Sequence, residues 1–124
     1  MNHLIGLSYQ WGAIYSIDGK VDCFSLFQEG RNSLGLHNYA KEFAWVYQEA
    51  SQAQIPTRKI LEQLHSIGKQ VKSPSNGDLA LVSASANQIG VGMFFNDGVL
   101  SIRKDGLSFW TPMGTAVHYW TLFA

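Results

Sequence analysis

The strongest constraint on the fold is a change of texture at Ser73-Pro74-Ser75-Asn76-Gly77-Asp78. Upstream, apolar residues recur at helical spacing. Downstream, short apolar runs alternate with turn residues, which is how strands of an antiparallel sheet read. Leu79 to Ala84 is one strand and Ile89 to Phe95 the next. Asn96-Asp97-Gly98 is a hairpin turn, because Asn, Asp and Gly tolerate the positive φ angles of a tight two-residue turn. Val99 to Arg103 returns, Asp105-Gly106 turns, and Leu107 to Trp110 follows. Thr111-Pro112-Met113-Gly114 breaks the chain before a last strand from Thr115 to Phe123. Both faces of that strand are apolar, as expected of one covered on both sides.

In the first half, Asp18-Gly19-Lys20 is a turn signal, and a helix is expected from about Asp22 to Leu34. Phe24, Phe27 and Leu34 share its face, and Gly35 stops it, although Gly30 inside it is unfavourable. A second helix is expected over Tyr39 to Ala50, with Tyr39, Phe43, Val46 and Tyr47 as its stripe and Trp45 widening it. Thr57 is the candidate cap of a third, with Ile60, Leu64 and Ile67 inward beside Leu61, and Gly68 at its end. Core packing accounts for these stripes. The fold class is therefore α+β, a single domain over residues 1–124 with N-terminal helices packed on a C-terminal antiparallel β-sheet.

Sixteen aromatics (Phe 7, Tyr 5, Trp 4) supply a real core, while only 15% of residues are charged and the net charge is zero. That balance has no basic stripe for nucleic acid, and it favours contact with other proteins. One cysteine excludes an internal disulfide and disfavours a Cys-based zinc site; no metal or cofactor is expected. Met1-Asn2-His3 does not open a signal peptide, and no apolar run is long enough for a membrane helix, so neither export nor membrane insertion is expected.

The cysteine lies in Val21-Asp22-Cys23-Phe24-Ser25-Leu26, at the expected start of the first helix. There the unpaired N–H groups and the dipole stabilise a thiolate and depress its pKa. The alternative is a small, buried apolar residue.

Gly6-Leu7-Ser8-Tyr9-Gln10-Trp11-Gly12, then Asp22-Cys23, then Gly77-Asp78-Leu79, resembles the NlpC/P60 superfamily of papain-like cysteine peptidases. The family motif runs roughly G-x-x-Y-x-W-G-G, D-C-S-G-L, G-D-L and H-V-G-I-Y-x-G-D-G. Phe24 after the cysteine, and Leu34-Gly35-Leu36 at the helix end, are similar to its phage-tail branch. The resemblance covers Leu4 to about Arg103. It implies a papain-like fold and Cys23 as nucleophile toward peptidoglycan stem peptides, with Tyr9 and Asp22 holding the substrate and Trp11 in the same motif.

The resemblance also implies a histidine base, which this chain lacks. Gly90-Val91-Gly92-Met93-Phe94-Phe95-Asn96-Asp97-Gly98 aligns with the last motif, so Gly90 stands at the histidine position, and Ser101 falls near a second one. Without an imidazole, nothing there takes the thiol proton or returns it to a leaving amine. His3, His37 and His65 are poorly placed; His118, on the last strand, is the best substitute base. Three functions follow. The first is a degenerate, non-catalytic module in a phage tail tip or baseplate, held by other tail proteins in the virion after assembly in the bacterial cytoplasm. The second is an active peptidoglycan endopeptidase using Cys23 and His118. The third is a non-catalytic module that still binds a peptidoglycan peptide.

Overall fold

The computed structural model describes residues 4, 6–49, 56–85, 88–103, 106–112 and 117–123. Its helices pack on one face of a six-stranded antiparallel sheet. Two short strands, β1 (Ser8–Tyr9) and β2 (Lys20–Val21), pair in parallel around a one-turn helix α1 (Tyr15–Asp18). Then comes α2 (Cys23–Ser33), the helix expected from Asp22 to Leu34. Asp22 is its N-cap, and Gly35 follows it with φ +71°.

The stretch expected as a second long helix is helical only over α3 (Val46–Glu49). Tyr39 has φ +60°, outside the helical region. From there the chain runs in tight turns, with Ala44 N–H donating to Lys41 O and Val46 N–H to Phe43 O. The Glu42 carbonyl accepts from Gln63 Nε2, and Gln63 Oε1 accepts from Trp45 Nε1. Turns of three residues still put Tyr39, Phe43 and Val46 inside, so the periodicity was real and the continuous helix was not. Ala50 lies outside the described residues.

Helix α4 (Thr57–Ile67) buries Ile60, Leu64 and Ile67. Its cap position is Pro56, with no side-chain cap, and Thr57 is the first helical residue. Gly68 does not merely end the helix. It begins β3 (Gly68–Val71), a strand its sequence does not advertise. A side chain at Gly68 would run into the Thr121 carbonyl, so glycine allows the close approach of β3 to its neighbour.

The second half forms β4 (Leu79–Ser85), β5 (Gln88–Phe95), β6 (Gly98–Arg103), β7 (Gly106–Trp110) and β8 (Val117–Leu122). The order across the sheet is β3-β8-β4-β5-β6-β7. Strands β4 to β7 are the expected meander; β8 departs from it, crossing back to lie between β3 and β4. Asn96 and Asp97 both have positive φ, +46° and +66°, in the β5–β6 turn, as a right-twisted hairpin requires. Residues 104, 105 and 113–116 of the later turns lie outside the described residues. Strand β8 is not covered equally on both sides. Trp120 and Leu122 are buried among the helices, whereas Tyr119 is half-buried on the other face, edge-on to Phe94.

Alternation along β5 turns Ile89, Val91, Met93 and Phe95 toward the helices, and Gly90, Gly92 and Phe94 away. Helix α2 lies across β5 and β6. Gly30 is what lets it sit so close, because a Cβ there would be 2.7 Å from the Met93 Sδ and Cε.

Candidate functional site

The N-terminus of α2 is tied down by one buried carboxylate. Asp22 is fully buried, and each of its oxygens accepts. Oδ1 takes the Ser25 N–H at 2.9 Å and the Tyr47 hydroxyl at 3.0 Å. Oδ2 takes the Gly12 N–H at 2.9 Å. Ser25 Oγ in return accepts the Asp22 N–H at 2.8 Å, closing a capping box. Asp22 thus binds together the Trp11-Gly12 turn, helix α2 and helix α3. Above it, the Trp11 and Tyr47 rings pack at 5.2 Å, and Tyr47 meets Phe24 edge-on.

Cys23, the first residue of α2, is 9% exposed. Backbone N–H groups of Val91, Phe24 and Cys23 itself face its sulfur and favour the thiolate. Phe94 exchanges hydrogen bonds with Gly77 and Asp78 on the β4 side. Alternation therefore aims Val91 N–H away from β4 and toward β6. The β5–β6 pairing extends only over Met93 to Phe95, so that N–H is open to the sulfur. Burial and the neighbouring Asp22 charge oppose these donors and win: the thiol is pushed up to about 12. The depressed pKa expected at a helix start is therefore not realised. At neutral pH the sulfur is held as the thiol.

Tyr9 joins the cluster, its hydroxyl pushed up to about 12 by burial and by Cys23 and Asp22. Tyr47 is raised as well, first by burial and then by Asp22. The structure therefore brings together Tyr9, Trp11, Asp22 and Cys23. Gly90 is adjacent through the Val91 peptide, but its missing side chain would point into open space, with nothing within 4 Å.

The described histidines are engaged elsewhere. His37 Nε2 is 2.9 Å from Glu42 Oε2, and His65 packs edge-on to Trp120. His118 pairs across the sheet with Leu81, and Leu81 with Val91, so all three share the helix-side face. Two strand spacings put the His118 backbone about 10 Å from that of Val91. Its exposed ring meets Gln70 Nε2 at 3.1 Å through Nδ1. Ser101 accepts from Trp110 Nε1 at 3.0 Å on the opposite face. His3 lies outside the described residues. Among the described residues no imidazole hydrogen-bonds Cys23, and no group of His, Cys, Asp and Glu could hold a metal.

Two members of this site escaped the sequence reading. Ser25 had a signal, an Asp three residues before it at a helix start. Tyr47 had none, because its link to Asp22 spans 25 residues and exists only in the folded chain. No family model matches the chain, and no curated protein matches it.

Proposed function

We propose that the chain is a degenerate, papain-like module of the NlpC/P60 type, kept for its shape as a structural component of a bacteriophage tail tip or baseplate. One observation carries this reading. Cys23 begins a helix packed on β5, the position the resemblance gives a nucleophile, yet it is a buried thiol with no imidazole partner among the described residues. Nucleophilic attack needs a thiolate and a proton carrier; burial favours the protonated thiol, and among the described residues no imidazole hydrogen-bonds the sulfur. The Asp22 carboxylate, which the resemblance assigns to substrate, is occupied by four donors of the chain itself. The phage-tail assignment rests on Phe24, Leu34-Gly35-Leu36 and the order of the motifs, with low charge and many aromatics suiting a subunit held among partners.

A second reading, an active endopeptidase using Cys23 and His118, draws on the sheet face that His118 shares with Val91. Release of soluble peptides from purified peptidoglycan separates the two. The proposed reading expects none, with Cys23→Ala leaving incorporation into tails intact, measured by mass spectrometry of virions. Release that disappears in both Cys23→Ala and His118→Ala would overturn it.

A further inference from the structure

The turn that divides the helices from the strands contains Asn76-Gly77, the one Asn-Gly step in the chain. Such a step is chemically labile. Glycine has no side chain to hinder its backbone nitrogen, which can attack the asparagine side-chain carbonyl. Asn76 is exposed, so water reaches it. Gly77 has φ +96°, beyond the left-handed well that other residues tolerate. The backbone therefore keeps glycine here, and the labile step with it.

The fold holds both reacting groups in place. Gly77 N–H donates to Phe94 O at 2.8 Å, which commits the attacking nitrogen to β5. Gly77 O accepts from Arg31 Nη1 at 2.7 Å, which pins the same residue to α2. Asn76 Oδ1 accepts the Asn96 N–H at 2.9 Å, and Asn76 Nδ2 donates to Asn96 Oδ1 at 3.4 Å. The asparagine side chain is thus tied to the β5–β6 turn. Attack needs these bonds released together, a local opening of the turn rather than of the whole chain.

We propose that Asn76 is a site of spontaneous deamidation, gated by release of this turn from β5. On opening, the Gly77 nitrogen bonds to Asn76 Cγ and gives its proton to water; the Cγ–Nδ2 bond breaks and ammonia leaves. Water then opens the succinimide ring to aspartate or isoaspartate. Isoaspartate carries the main chain through an extra methylene, which displaces Gly77 from the Phe94 carbonyl and the Arg31 guanidinium. An opening that reacts is therefore not reversed. The proposal is independent of the chemistry of Cys23. Peptide mapping of the folded chain, with isoaspartate located by electron-transfer fragmentation, tests it against the free peptide spanning Pro74 to Leu79 in the same buffer. Hydrogen exchange at the Gly77 amide measures how often the turn is open. Asn76 should react in the folded chain more slowly than in the peptide by the protection factor of that amide, at least about tenfold. Asn96→Gly keeps a residue that accepts positive φ and removes the Asn96 Oδ1 acceptor, so it should raise the opening and the rate by one common factor. A folded rate equal to the peptide's would overturn the gate, as would a change of opening without a change of rate in Asn96→Gly. No product after the peptide half-time multiplied by the protection factor, or modification at another asparagine instead, would overturn the site.

Discussion

At Cys23 two sets of forces compete, and the outcome decides the chemistry. Three backbone N–H groups favour the thiolate, but they are outweighed by removal from water and by a carboxylate one residue away. Alkylation by iodoacetamide should therefore accelerate about tenfold per pH unit from pH 7 upward, with no plateau at low pH. A plateau near neutrality would mean a thiolate–imidazolium pair. Asp22 is the residue to perturb next. Asp22→Ala removes a helix cap and strands the Gly12 and Ser25 N–H groups and the Tyr47 hydroxyl. A loss of about 3 kcal/mol is expected in urea unfolding. The same substitution removes the charge that opposes ionisation, so the surviving folded molecules should alkylate faster.

Between elements, the contact that sets the site is Gly30 on Met93. Gly30→Ala gains about 1 kcal/mol of helix propensity. It also drives a methyl group to 2.7 Å from a buried Met93 side chain, and overpacking of that kind costs about 1–3 kcal/mol. Net destabilisation of about 1 kcal/mol is expected, and Met93→Val in the same chain should recover most of it, a coupling that a double-mutant cycle measures. This contact explains what could be read beforehand. Helix α2, the Asn96-Asp97 turn and the strand runs declare themselves through neighbours in sequence. The reason Gly30 is tolerated lies 63 positions away, at Met93. The same holds for the short α3, where Gln63 takes the Glu42 carbonyl, and for β3, whose Gly68 is dictated by Thr121. The site divides likewise. Asp22 and Cys23 were legible from their place at a helix start. The raised thiol pKa was not, because burial is a property of the whole fold.

For the whole molecule, these buried acids make stability a function of pH with a definite sign. A thiol titrates at about 8.5 in an unfolded chain and a phenol at about 10. In the folded chain Cys23 and Tyr9 are pushed up to about 12, and Tyr47 and Tyr119 are raised too, chiefly by burial. Between these values the unfolded state has lost protons that the folded state keeps, so stability falls as pH rises. The stabilisation is fully present below about pH 8.5 and is lost progressively toward pH 12, Cys23 setting the onset and the tyrosines steepening it above about pH 10. Urea midpoints measured from pH 7 to 11 should therefore hold level and then decline. In Cys23→Ala the decline should begin about one and a half pH units later, where the tyrosines take over. A chain with a working thiolate would behave in the opposite way. Its folded pKa would lie below the unfolded one, stability would rise with pH as the folded thiol ionised, and Cys23→Ala would remove that rise. The slope near pH 9 thus tells an inert buried thiol from a nucleophile without any substrate.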